Sequence, residues 1–129
     1  LSDLRGQRVV LYFYPKANTS GCTREAQDFT RRLKALQKLD AAVVGVSPDK
    51  PGALCKFIES KKLGIPLLSD PDKKLAKAAG AINEKGGILR STLLIDRTGV
   101  LRWQWKKVKV DGHVDEVLGV LKDLHDADT

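Results

Sequence analysis

Apolar positions along the chain follow two rhythms, one continuous and one spaced by three to four residues. Arg8 to Tyr14 is a continuous β-prone run, which predicts a strand buried on both faces. Cys22 to Leu39 changes to a helical spacing, with Phe29, Leu33 and Leu36 at i, i+4 and i+7 on one stripe. Ala41 to Val46 predicts a second buried strand. Pro51 suits the first turn of a helix that runs to about Leu63. Ile65 to Leu68 predicts a short strand, and Lys73 to Ala79 a short helix stopped by Gly80. Ser91 to Ile95 and Val100 to Trp105 predict strands joined by the turn Asp96-Arg97-Thr98-Gly99. A last helix starts near Asp111 to His113 and carries Val114, Val117, Leu118, Leu121 and Leu124 on one face.

The predicted order is β-α-β-α-β-α-β-β-α. Strands alternating with helices imply a parallel core, and the late hairpin adds antiparallel strands. The expectation is one α/β domain with helices on both faces of a mixed sheet. At 129 residues the chain is long enough to bury a core without staples. It shows no repeat, low-complexity tract or linker.

Composition narrows the classes. The net charge is +7, but the basic pairs Arg31-Arg32, Lys61-Lys62, Lys73-Lys74 and Lys106-Lys107 are scattered. Aromatic residues are 5% of the chain. A nucleic-acid reader concentrates charge and interleaves aromatics, so a solvated basic surface is the expected reading. No apolar run reaches membrane-span length, and no signal-peptide pattern opens the chain. Two cysteines separated by 33 positions make neither a disulfide framework nor a zinc site, so a reducing cytoplasm is the default. No aromatic-rich or long apolar surface stripe marks a dimer interface, which leaves a monomer as the default.

The chemistry concentrates at Cys22. The stretch Tyr12-Phe13-Tyr14-Pro15-Lys16-Ala17-Asn18-Thr19-Ser20-Gly21-Cys22 leaves a strand, turns, and delivers a thiol to the start of a helix. Unpaired backbone N–H groups and the positive end of the helix dipole favour thiolate there. A small buried cysteine would occupy the same place without reacting, so position alone leaves both readings open. Thr19 or Ser20 can cap the helix, and Glu25 near its start suits the dipole.

The wider pattern resembles a known family. Pro15-x-x-x-Thr19-x-x-Cys22 is similar to the active-site signature of peroxiredoxins. Val10 to Lys16, Gly21 to Ala26, Val44-Gly45-Val46-Ser47, Leu67-Leu68-Ser69-Asp70, and Arg90 to Asp96 with Gly99 following resemble, in order and spacing, the bacterioferritin-comigratory-protein or PrxQ class. The resemblance covers almost the whole chain. It implies a thioredoxin-like fold with a central mixed five-stranded sheet, and reduction of hydrogen peroxide and organic hydroperoxides by a thiol.

The resemblance also implies roles. Cys22 is the expected nucleophile on one peroxide oxygen. Thr19 can donate to one partner and accept from another, and so touch thiolate and peroxide together. Arg90 supplies a permanent positive charge near the sulfur. Pro15 lacks an N–H and would shield the thiolate. The N–H groups of Gly21 and Cys22 are further candidate donors. Thr19 and Arg90 have plain alternatives as a helix cap and a surface arginine at a strand start. For Glu25 a site role and a role in the helix alone are equally open.

The chain departs from the class in places. Many members carry a second cysteine five positions after the first, where Gln27 stands here. Cys55 on the following helix is the candidate resolving thiol, at the flank of the apolar face formed by Leu54, Phe57 and Ile58. The expected cycle is a Cys22 sulfenic acid, an intramolecular Cys22–Cys55 disulfide, and reduction by thioredoxin or a similar dithiol. Local unwinding around one or both thiols is expected, because a disulfide needs Cα atoms within about 7 Å. The competing readings are a one-cysteine peroxidase using external thiols, a thiol–disulfide oxidoreductase, and a chaperone-like protein without activity. Ser20 stands where the class often has proline, so a more mobile loop is expected. The N-terminal strand or hairpin of the class is expected to be missing from this sequence.

His113 and His125 read as a helix-start and a last-turn residue. With the two cysteines they lack ligand spacing, so neither metal nor cofactor is expected. Gly86-Gly87 reads as a turn before a strand and not as a phosphate loop.

Overall fold

A computed structural model describes residues 7–16, 20–110 and 112–128. The elements run β1 (Arg8–Phe13), α1 (Ser20–Arg31), α2 (Leu33–Lys38), β2 (Ala41–Ser47), α3 (Pro51–Lys61), β3 (Leu67–Ser69), α4 (Lys74–Ala79), β4 (Ser91–Ile95), β5 (Leu101–Trp105) and α5 (His113–Asp128). They form one five-stranded sheet in the order β3-β2-β1-β4-β5. β1 pairs with β2, and β2 with β3, in parallel; β4 is antiparallel to both β1 and β5. This is the mixed sheet that the alternating pattern implies.

β1 is central and buried along its length. Its side chains alternate between two cores, as a period of two requires. Val10, Tyr12 and Tyr14 pack with Phe29, Leu36, Phe57, Val117 and Leu121 on one face. Val9, Leu11 and Phe13 pack with Val44, Val46, Ala76 and Leu93 on the other. Full burial of a large apolar side chain contributes about 1.5–3 kcal/mol, so this strand anchors both layers.

Gly45 on β2 lies opposite Tyr12 in the β1–β2 register. A Cβ at Gly45 would stand 2.7 Å from Tyr12 Cζ and 2.7 Å from Leu67 Cδ2. The Tyr12 ring therefore lies where any larger residue at position 45 would be.

The helix expected over Cys22 to Leu39 is two helices. The chain kinks at Arg32, whose N–H donates to both Asp28 O and Phe29 O at 3.2 Å. Thr30 accounts for the kink. Its hydroxyl donates back to Ala26 O at 2.8 Å and accepts from Gly64 N at 3.1 Å. Such back-bonding bends a helix. Glu25 also differs from expectation. α1 starts at Ser20 and has no acidic residue in its first turn, so Glu25 does not serve the dipole.

The α3 helix starts on Pro51 as expected and ends at Lys61, and Gly80 closes α4 in the left-handed region at φ 73°. His113 begins α5, as expected. It is buried, its Nε2 lies 2.8 Å from Thr92 Oγ1, and Trp105 meets its ring edge-on at 5.2 Å. Burial lowers its pKa to about 4, against a smaller opposing influence of Glu116. β5 exposes Val100 just before it, and Leu101 and Trp103 within it. The sequence reading saw no such apolar stripe. No helix among the described residues is long and apolar enough to cross a membrane.

Candidate active site

The β1 strand ends at Phe13, and Pro15 follows in an exposed bend. The chain re-enters described structure at Ser20, the first residue of α1, so Cys22 sits in the first helical turn. Thr19 lies outside the described residues. Cys22 is 1% exposed and packs in the core cluster that contains Tyr12, Tyr14 and Phe29.

Arg90 immediately precedes β4, which runs antiparallel beside β1, with Phe13 opposite Ser91. That register carries Arg90 to the thiol. Its Nη2 donates to Cys22 Sγ at 3.1 Å, and its Nη1 donates to Glu25 Oε1 at 2.7 Å. The plain alternative, a surface arginine at a strand start, does not describe this side chain, which is 19% exposed. A Cβ at Gly21 would touch Arg90 Nη2 at 3.4 Å, so the glycine leaves the guanidinium room over the helix start.

Glu25 is 1% exposed and lies one turn further along α1. Spacing shows why both residues can reach one arginine. Positions 22 and 25 are i and i+3, neighbours on one helix face. Burial raises the Glu25 pKa to about 7, and the adjacent Arg90 pulls in the opposite direction. Arg90 is held more firmly protonated than usual: burial opposes its charge, but Glu25 and Cys22 outweigh that effect. Glu25 Oε2 and the hydroxyl of Tyr12 are buried without hydrogen-bond partners among the described residues, and the hydroxyl of Tyr14 lies beside Ser47. Burial pushes both tyrosine pKa values up. The sequence analysis did not single out Tyr12 or Tyr14 as site neighbours; their alternation on β1 with Val10 already placed them on this face.

Cys55 is the fifth residue of α3 and is solvent-exposed, not partly covered at the flank as expected. Both cysteines are free thiols. Among the described residues, no group of three or more His, Cys, Asp or Glu side chains could hold a metal ion.

The site is a buried thiol in the first turn of α1 in hydrogen-bond contact with a fixed cation, and a cation beside a cysteine favours the charged form of its sulfur. Comparison with known proteins agrees. Residues 1–104 match the AhpC/TSA family, and the chain belongs to that family of thiol peroxidases. Within it, the chain falls in the Bcp/PrxQ group of peroxiredoxins. It is 47% identical over 131 residues to peroxiredoxin Bcp of Bacillus subtilis, covering 96% of this chain and 83% of that protein. It superimposes on peroxiredoxin Q of Xanthomonas campestris with a TM-score of 0.94 at 39% identity, covering 97% of this chain and 84% of the other. The likeness extends to Mycobacterium bovis AhpC, with a TM-score of 0.85 at 32% identity over 95% and 72% of the two chains.

Proposed function

We propose that Cys22 is the peroxidatic thiol and that Cys55 resolves its oxidised form. The observation that carries this reading is the 3.1 Å contact between Arg90 Nη2 and Cys22 Sγ. The Cys22 thiolate attacks one peroxide oxygen, the O–O bond breaks, and the other oxygen leaves as hydroxide or alkoxide and takes up a proton. Cys22 becomes a sulfenic acid. Arg90 stabilises the negative charge that builds on the departing oxygen, as a preorganised donor beside a reacting centre does. Glu25 holds Arg90 in place. Thr19 would position the peroxide, Pro15 would limit water at the loop, and the N–H groups of Gly21 and Cys22 would donate to the substrate.

The thiolate of Cys55 then attacks the Cys22 sulfur. A disulfide forms and hydroxide leaves, to be protonated to water. Exposure of Cys55 near the start of α3 supports this step, because the first turns of a helix unwind most readily. Thioredoxin or a similar dithiol would reduce the disulfide, which sets the enzyme in a reducing compartment. Alkyl hydroperoxides belong among the proposed substrates with hydrogen peroxide. The bacterioferritin comigratory protein of Xanthomonas campestris, 38% identical to this chain, is described by its alkyl peroxide reduction activity.

Intact mass and free-thiol count after one equivalent of hydrogen peroxide test the reading. Rapid loss of both thiols in one chain, with a Cys22–Cys55 crosslinked peptide, is the expected result. Oxygen on Cys22 with Cys55 still free would replace it with a one-cysteine cycle. Slow reaction of both thiols would remove the assignment of Cys22. In the Cys55→Ser variant the first oxidation should keep its rate, while turnover with thioredoxin stops.

A further inference from the structure

The two tryptophans of the chain, Trp103 and Trp105, line one groove. Their ring centroids are 6.3 Å apart and the planes are tilted by 58°, so the indoles form an open angle and are not stacked face to face. Trp103 is 52% exposed. The opposite wall is α5, which presents Glu116, Gly119 and Asp123. These positions are i, i+3 and i+7 and share one helix face. The two carboxylates stand about 10 Å apart along the axis at 1.5 Å of rise per residue. Both residues are exposed, and neither is in an ion pair among the described residues. The groove has a volume of about 480 Å³.

Gly119 has no packing reason to be glycine. A Cβ there would meet nothing within 4 Å. A glycine inside a helix is unfavourable relative to alanine, and here it leaves the α5 wall of the groove without a side chain at that position. Indole faces attract a cation over the ring, an organic ammonium adds apolar contact that a metal ion lacks, and the two exposed carboxylates add negative charge beside them. This is a local reversal of character on a chain of net charge +7. Lys122 also lines the groove, and its ammonium is the resident competitor for the same space.

We propose that the groove between Trp103, Trp105 and the Glu116–Asp123 face of α5 binds an organic ammonium ion, with the cation against the indoles and a carboxylate on either side. The ammonium is free in solution or is the head of a lysine side chain; the chemistry is the same. Because the chain has no other tryptophan, its tryptophan emission, excited where tyrosine does not absorb, reports on this groove.

The test is a titration of the full chain with tetramethylammonium chloride, followed by tryptophan emission, against sodium chloride at equal ionic strength. A saturable change with the organic cation and none with sodium is expected. Trp103→Ala should weaken binding about twofold to fivefold, read from Trp105. Glu116→Gln and Asp123→Asn should each weaken it, and Lys122→Ala should strengthen it. All four side chains are exposed, and an unchanged circular dichroism spectrum checks the fold. A parallel titration with Nα-acetyl-lysine amide separates the sources. Tighter binding of the capped lysine means a protein-borne cation, and tighter binding of tetramethylammonium means a free one. An equal response to sodium, or the same affinity in the carboxamide and Lys122 variants as in the parent, would overturn the proposal.

Discussion

Arg90 meets Glu25 through an Nη1–Oε1 contact of 2.7 Å, across 65 positions of sequence. The contact leaves Nη2 for the sulfur of Cys22. A guanidinium can serve two acceptors in this way because its donors form a rigid planar fork. An ammonium is a single point charge and cannot span both groups in fixed geometry.

Arg90→Lys should therefore slow oxidation of Cys22 by hydrogen peroxide by roughly 10²–10³-fold, the loss typical of one preorganised donor at a reacting centre. Arg90→Met should be at least as slow. Stopped-flow measurement of the first oxidation step, before any resolution, gives the comparison directly.

Glu25 makes stability depend on pH in an unusual direction. Burial lifts its folded pKa from 4.5 to about 7, so the unfolded chain loses the proton first as pH rises. Between those values the folded state binds more protons, and stability falls with rising pH. The contribution is on the order of 2–3 kcal/mol. Urea unfolding of the parent and of Glu25→Gln should give curves whose difference changes across pH 4.5 to 7 and is flat above.

His113 acts in the opposite sense. Its folded pKa falls from 6.5 to about 4, so the unfolded chain takes up a proton first as pH drops. Stability is present above 6.5 and is lost as pH falls toward about 4. The size is again on the order of 2–3 kcal/mol. The two residues therefore offset each other over nearly the same range. His113→Gln should expose the falling slope of Glu25, and Glu25→Gln the rising slope of His113. The same urea series in the two single variants should show slopes of opposite sign.

Gly45→Ala should destabilise the fold by about 1–3 kcal/mol, the usual penalty for forcing atoms into a packed core. The new Cβ would meet the Tyr12 ring and Leu67 Cδ2 at 2.7 Å. Tyr12 stacks on Phe29 with centroids 4.9 Å apart, so the displacement should also reach the helix that carries Cys22. Denaturant midpoints measure the stability change, and amide exchange in α1 measures its spread.

The architecture was legible because β1 and β2 are buried on both faces and read as unbroken apolar runs, while α5 shows a regular apolar stripe. The break between α1 and α2 was not legible. It arises from Thr30, whose hydroxyl serves Ala26 and Gly64 at once, and Gly64 is 34 positions away. Cys22 and Arg90 were legible through the resemblance, not through periodicity. Glu25 stayed open because its partner comes from the loop just before β4, and no local pattern indicates which carboxylate an arginine 65 positions on will meet. His113 was legible as a helix start, but its burial was not, since that depends on Trp105 and Thr92 from neighbouring strands.

The register of β4 against β1 has a consequence for the growing chain. Cys22 is made early, but the cation that faces it arrives only with Arg90 and only when β4 pairs beside β1. A nascent or unfolded chain carries that cysteine with no guanidinium held beside it. The contact between Arg90 and Cys22 is thus made only when the sheet closes, and on the proposed mechanism a misfolded copy lacks the cation that serves the reacting thiol.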